Sequence, residues 1–440
     1  MENTREIASA AVYSILEEDG QSHVVLRETF NRYPELSSRD RHFIQYLVQG
    51  TIENLILLDA KLNQVSKTPV KKMKPWIRTI LRTGAYQILF MEKVPASAAC
   101  NEAVKLAEKR RFHGLKGFVN GVLRAIVREP SLPEENLAIR YSMPEWLVDR
   151  WKKVYGAKTT EAMLKAFQCP ARLSVRWNLS LASKGQIQES LEGQGVKIEP
   201  LPYGLAGCFL SDFDRIDALE AFQKGWIQVQ DVSSILAGQA AAPKRSSRIL
   251  DLCAAPGGKS LHLADSLEGT GQVIACDLTP KKTAMIEENK RRTGFSNLKI
   301  EVSDARIFRP EWEASFDLVM ADLPCSGLGT IGHKPEIKYR ATPESIHSLA
   351  SLQREILTAS WRYLKPGGML IYSTCTVEPE ENIENFHWLL ESFPLEPVPL
   401  TDVLAEGPEE ESRKEGWLQL LPGTHGGDGF FISKCKRKNQ

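Results

Sequence analysis

The chain has 440 residues, 42% of them hydrophobic, which is enough for roughly two to four globular domains. Its 56 Lys and Arg nearly cancel 55 Asp and Glu, so bulk charge alone does not mark a polycationic nucleic-acid binder. No uninterrupted apolar run approaches the roughly 18 residues of a membrane span, and the N-terminal stretch MENTREIASA lacks the pattern of a secretory leader. A cytoplasmic protein with no membrane partner is expected. The cysteines at 100, 169, 208, 253, 276, 325, 375 and 435 form no C-x-x-C pair, so neither a disulfide framework nor a metal site is expected.

Residues 1–130 show helical spacing throughout. Ile7, Ala8, Ala11, Val12, Ile15 and Leu16 share one face up to Gly20. Ile77, Ile80, Leu81, Gly84, Ala85, Ile88 and Leu89 mark another helix, as do Phe118, Val119, Val122, Leu123 and Ile126. A bundle of about five to seven helices follows. Charge is unevenly spread along it. No acid occurs between Asp59 and Glu92, while Lys61, Lys67, Lys71, Lys72, Lys74, Arg78 and Arg82 accumulate. A second group, Lys105, Lys109, Arg110, Arg111 and Lys116, has Glu108 as its only acid. Such runs form either a solvated surface or a phosphate-tracking face. The pair VPASAACNEAVKLAEKR (94–110) and GFVNGVLR (117–124) resembles the RNA-binding NusB antitermination family, and that resemblance implies contact with RNA.

EPSLPEEN (129–136) reads as a connector, with Pro130 and Pro133 breaking any helix. Beyond it, residues 145–224 read as a small α/β module: a short helix in WLVDRWKKVYG, a strand in RLSVRWN (172–178), a helix near 184–193, strands near 196–210 and a helix near 216–223. From 225 to 440, short apolar runs alternate with helices: SRILDLCA, QVIACDL, NLKIEVSD, FDLVMADLP and GMLIYSTC. That alternation predicts a parallel, doubly wound, Rossmann-like sheet with its ligands at the carboxyl ends of the strands.

The first of these strands runs into ILDLCAAPGGKS (249–260). Glycines there allow close backbone approach, and the following helix start offers free N–H groups. GGKS resembles the end of a phosphate-binding G-x-x-x-x-G-K-[ST] loop, but position 253, where the first glycine belongs, is Cys253. The nucleotide-triphosphatase reading fails at that residue. S-adenosylmethionine fits better, with Ala254, Ala255, Pro256, Gly257, Gly258, Lys259 and Ser260 as the cofactor-binding turn. Asp277, ending VIACD, would hold the ribose hydroxyls, and Asp304, ending the next strand, would accept from the adenine amino group. An aspartate after a strand also serves as a turn or helix cap.

The next two strands each end in a cysteine, in ADLPCSGLGT (321–330) and STCTVEPEEN (373–382). A methyl donor beside two thiols suits the C5 carbon of a pyrimidine, which becomes nucleophilic only after a thiolate adds at C6. Asp322, three residues before Cys325, would hold the edge of the base, donating to N3 if protonated or accepting from the exocyclic amine of cytosine. Asp322 is also expected among the cofactor-binding residues.

Together LDLCAAPGGKS, ADLPCSGLGT and YSTCTVEPEEN resemble the Sun-type RNA cytosine-5-methyltransferases, and KGWIQVQDVSS (224–234) resembles their leading strand and helix. In combination with the NusB-like front end, the chain is similar to the bacterial branch of that family that makes 5-methylcytosine in 16S ribosomal RNA. The resemblance implies Cys375 as nucleophile and Cys325 as the residue that assists release. It also implies 16S ribosomal RNA as partner and a monomer. GHKPEIKYR (332–340) is either a source of positive charge for the thiols or a solvated loop. The expected fold class is thus α/β: a Rossmann-like S-adenosylmethionine-dependent methyltransferase domain (225–440), preceded by an all-helical NusB-like domain (1–130) and the α/β module (145–224). A transfer-RNA methyltransferase, an amino-group methyltransferase needing no nucleophile, and a catalytically silent assembly factor remain as alternatives.

Overall fold

The apolar faces of the first 130 residues form seven α-helices: Thr4–Glu17, Ser22–Arg32, Ser38–Glu53, Leu55–Val65, Pro75–Phe90, Ala96–Lys109 and Lys116–Arg128. The computed structural model describes residues 3–133, 136–170, 172–405, 407–408 and 410–439, so Glu134 and Glu135 of the expected connector lie outside the described residues. The described residues divide into two compact units, one of 1–169 with 331–340, the other of 170–330 with 341–440. Among them no helix is long and apolar enough to cross a membrane.

In the first unit Val12, Ile15, Ile44, Leu47, Leu58, Ile80, Leu81, Val119 and Leu123 are buried in one core, each contributing about 1.5–3 kcal/mol of transfer free energy. Small residues let the helices close up. A Cβ on Gly50 would fall 1.9 Å from the Tyr86 hydroxyl, and one on Gly84 would fall 2.9 Å from Leu123. The helix expected in WLVDRWKKVYG continues as Glu145–Phe167, broken at Gly156, whose φ of 79° is not helical.

The segment 331–340 completes this helical unit. Glu336 accepts from the backbone N–H of Ser22 at 2.9 Å, at the start of the second helix. Lys338 donates to the carbonyl of Glu53 at 2.8 Å and Tyr339 to that of Ile52 at 2.7 Å, both in the last turn of the third helix. Arg340 donates to the carbonyls of Ile15 and Gly20 at 2.9 and 2.8 Å. Except for Gly20, which lies between the first two helices, these groups stand at helix ends. Within GHKPEIKYR, Lys338 and Arg340 are thus committed to backbone carbonyls of the helical unit, whereas His333 and Lys334 are exposed.

The second unit contains two sheets. In the smaller, β1 (Leu173–Trp177), β2 (Lys197–Pro200), β3 (Gly207–Ser211) and β4 (Ile227–Val229) are antiparallel in the order β2-β3-β1-β4. β4 extends this module beyond residue 224, since Ile227 pairs with Trp177 and not with the larger sheet. The larger sheet comprises β5 (Arg248–Asp251), β6 (Gln272–Asp277), β7 (Leu298–Val302), β8 (Phe316–Asp322), β9 (Leu364–Thr374), β10 (Leu395–Pro397), β11 (Trp417–Leu420) and β12 (Phe430–Arg437). Its order is β10-β12-β9-β8-β5-β6-β7, with β11 on β12.

β5 to β9 are parallel as expected, but β10, β11 and β12 are antiparallel to their neighbours, so the sheet is mixed. The short 421–429 connection between β11 and β12 cannot carry a parallel crossover and closes as a hairpin. β5 lies between β6 and β8, where the winding direction reverses, and the crevice at such a switch point is where doubly wound sheets bind ligands.

Candidate active site

The glycine turn leaves β5 at that switch point. Gly257 has φ 108°, a left-handed conformation that favours glycine, and a Cβ there would meet Ile286 at 3.2 Å. The helix Gly258–Ser266 starts directly after it. Ala254 donates to the Cys276 carbonyl at 2.8 Å and Ala255 to Asp277 Oδ2 at 2.9 Å, which fixes the turn to the end of β6. Asp277 is 3% exposed, and its other oxygen accepts from Leu278 N at 2.7 Å and faces Lys282 at 3.0 Å. Asp277 is thus both a carboxylate at a strand end and the anchor of the turn.

Asp304 sits beyond β7 in its own tight turn. It accepts from Arg306 N at 3.0 Å and pairs with that guanidinium at 2.6 Å, which holds its carboxyl below the usual range. Ser303 N donates to the Asp277 carbonyl at 3.0 Å, so the two acids stand at adjacent strand ends. Leu278 and Ile307 beside them are 53% and 64% exposed. Exposed apolar side chains thus flank the two acids.

Lys259 spans the switch point. Its ammonium donates to Ser234 Oγ and to Asp322 Oδ2, each at 2.7 Å, and lies 5.0 Å above the Phe430 ring. Asp322 also accepts from Ser373 Oγ at 2.8 Å, as the β8–β9 register that pairs these two residues requires. Asp322 therefore accepts from both an ammonium and a hydroxyl. Ser260 donates to Asp251 Oδ2 at 2.5 Å; burial pushes Asp251 up to about 7, and its Oδ1 has no partner among the described residues. Asp251 was absent from the sequence-based set, although it ends β5 immediately before the turn.

The same register brings the cysteine loops together. Leu323 N donates to the Ser373 carbonyl at 3.0 Å, and Cys325 Sγ then lies 3.4 Å from Cys375 Sγ. The hydrogen bond with Cys375, followed by burial, drives Cys325 far above the ordinary thiol range. Pro256 and Gly258 complete the turn, the latter with the Gln230 side chain 3.9 Å from its Cβ position. Glu381, fully buried beneath both cysteine loops, is a second residue that sequence reading missed.

A glycine turn at a switch point, acids ending the next strands and paired thiols beyond them define a methyltransferase whose cofactor is S-adenosylmethionine. Family models match three successive stretches. The NusB family covers residues 2–128, the ferredoxin-like domain of RsmF/B-like methyltransferases covers 143–216, and 16S rRNA methyltransferase RsmB/F covers 239–436. The chain is 36% identical over 451 residues to the probable ribosomal RNA small subunit methyltransferase B of Bacillus subtilis, covering 99% of each chain. It is 31% identical over 441 residues to ribosomal RNA small subunit methyltransferase B of Proteus mirabilis, again over 99% of each. The crystal structure of PH0851 superposes with a TM-score of 0.85 at 27% identity over 99% of both chains. A methyltransferase homologue from Pyrococcus horikoshii gives 0.59 at 28% identity, over 68% of this chain and 97% of its own. The chain belongs to the ribosomal RNA small subunit methyltransferase B family.

Proposed function

We propose that the protein methylates C5 of a cytosine in 16S ribosomal RNA, acting as a monomer, through a covalent adduct between Cys375 and C6. The observation that carries this reading is the 3.4 Å approach of two thiols beside Asp322, at the ends of neighbouring strands. The names of the full-length relatives, ribosomal RNA small subunit methyltransferase B, support the choice of RNA.

Ala254 to Ser260 and Asp277 would hold S-adenosylmethionine, with Asp304, Leu278 and Ile307 around its adenosine and Asp322 and Asp251 toward the methionine end. Bound there, the cofactor supplies an electrophilic methyl group. Cys375, its proton passed to water, would attack C6, forming the S–C6 bond and moving the ring π pair to C5, which takes the methyl as the donor's sulfur–methyl bond breaks and that pair stays on the donor sulfur. Asp322 accepts from the cytosine amine, a contact uracil lacks. For release, the C5 proton passes to water, its electron pair restores the C5–C6 double bond, and the C6–S bond breaks. Cys325, donating to the Cys375 sulfur, stabilises the thiolate that leaves.

The exposed lysines at 67, 71, 72 and 74 of the helical unit would track phosphates. The cytosine must be unstacked, because neighbouring bases block approach to C6 from above the ring. Methylation of purified 16S ribosomal RNA in vitro, followed by mapping of 5-methylcytosine, tests the assignment. Methylation of transfer RNA alone, or of an exocyclic amine, would reject it.

A further inference from the structure

The residues flanking the two cysteines are held by a buried hydrogen-bond network that centres on Glu381, Asn382 and Gln353. On the Cys325 side, Glu381 accepts from Ser326 N at 2.8 Å and from Ser326 Oγ at 2.5 Å. Gln353 donates from one amide to Glu381 at 3.3 Å and to the Pro324 carbonyl at 2.9 Å, so both neighbours of Cys325 are fixed. On the Cys375 side, Asn382 accepts from Thr374 Oγ1 and donates to the Thr376 carbonyl at 3.0 Å. The two halves join where the Ser326 and Thr376 hydroxyls meet at 2.7 Å.

Asn382 supplies neutral hydrogen bonds only. Glu381 is different, because a carboxylate with 0% exposure pays a desolvation cost that a glutamine in its place would avoid. Burial pushes Glu381 up to about 7, and its negative charge is among the influences that keep the Cys325 thiol protonated. Nothing in its geometry brings Glu381 to the sulfurs directly, since its side-chain contacts run through Ser326, Gln353 and Thr376, with Ser326 giving it two of them.

We propose that Glu381 is a positioning residue for release of the adduct, acting on Cys325 through Ser326. This inference rests on the covalent reading above. In the resting site Glu381 orients the loop so that the Cys325 S–H faces Cys375. During release the C5 proton passes to water, the C6–S pair returns to the Cys375 sulfur, and the Cys325 S–H supports that sulfur. Without the Glu381 charge and its grip on Ser326, attack and methyl transfer still proceed at Cys375, but the leaving thiolate loses its donor.

The test follows one full-length protein series, wild type, Cys325→Ala, Glu381→Gln and Ser326→Ala, on 16S ribosomal RNA with S-adenosylmethionine. Two quantities are read: methyl incorporated in a single turnover, and the lifetime of the protein–RNA band on denaturing gels. Glu381→Gln should leave the first methyl transfer near the wild-type rate while lengthening the adduct lifetime at least about tenfold, the worth of a charged hydrogen bond. Ser326→Ala, a smaller change that keeps Glu381 and the fold, should shift the same way. A merely structural role would slow both quantities together, and that outcome overturns the proposal. So does wild-type release in both variants. If Cys325→Ala accumulates adduct and Glu381→Gln does not, only the role of Glu381 fails. If Cys325→Ala accumulates none either, the covalent reading fails with it.

Discussion

Cys325 and Cys375 are fifty residues apart in the chain, and their sulfurs lie 3.4 Å apart because Asp322 of β8 pairs with Ser373 of β9 in parallel register. A slip of one residue would turn the alternating side chains to opposite faces and separate the loops. The same pairing sets Asp322 beside the glycine turn through Lys259, so the turn, Asp322 and the two thiols depend on one strand register.

Asp277→Ala removes a carboxylate that anchors Ala255 and that, in the proposed site, would hold the ribose. A charged hydrogen bond is worth on the order of 1.5–3 kcal/mol, so S-adenosylmethionine affinity should fall at least about tenfold. Calorimetry on the folded variant checks this. Unchanged binding would place the ribose elsewhere.

Asp322→Asn keeps the size of the side chain but loses the full acceptor and the ion pair with Lys259. Methyl transfer under single-turnover conditions should drop on the order of 100-fold, as for other positioned acid–base groups. A rate equal to wild type would make Asp322 an anchor for Lys259 alone.

Lys338 provides a pH prediction for the helical unit. Burial lowers it to about 7 from an ordinary 10.5. Between these values the unfolded chain binds a proton that the folded chain does not, so its contribution to stability rises as pH increases from about 7 to 10 and is flat below 7. Denaturant midpoints of wild type minus Lys338→Met, measured across that window, should increase with pH. A flat difference would mean that Lys338 keeps its proton in the fold.

Neutralising Lys71, Lys72 and Lys74 should weaken RNA binding and lower the slope of log affinity against log salt by about 2, three charges each releasing about 0.7 counterion from a single strand. Cofactor binding should not change. An unaltered slope assigns these lysines to ordinary solvated surface.

Much of this site was legible because apolar strand runs end abruptly at polar residues: Asp277, Asp322 and Cys375 each close or directly follow a strand. What stayed hidden depends on partners far along the chain. Of the basic runs, Lys61 is fully buried, Arg78 pairs with Glu17 and Arg82 pairs with Asp59, while Lys109 meets Glu6 at 2.7 Å. Those acids lie on other helices or at the edge of the run, so a local charge count could not remove the lysines and arginines they neutralise. Glu381 stands among the acids of VEPEEN with no local signal of burial, and only the β8–β9 register places Ser326 above it. The 331–340 segment read as polar loop because its buried stems and helix-capping tips leave no periodic pattern. β10 and β12 were missed as sheet partners for a related reason, since antiparallel return strands carry no crossover helix to announce them.

The covalent role of Cys375 is tested most directly by trapping. Cys325→Ala and Cys375→Ala proteins are incubated with 16S ribosomal RNA and S-adenosylmethionine and run on denaturing gels. The account predicts a retarded protein–RNA band for Cys325→Ala, and neither band nor methylation for Cys375→Ala. A band with Cys375→Ala and none with Cys325→Ala would exchange the two roles, and full turnover by Cys375→Ala would contradict the covalent mechanism.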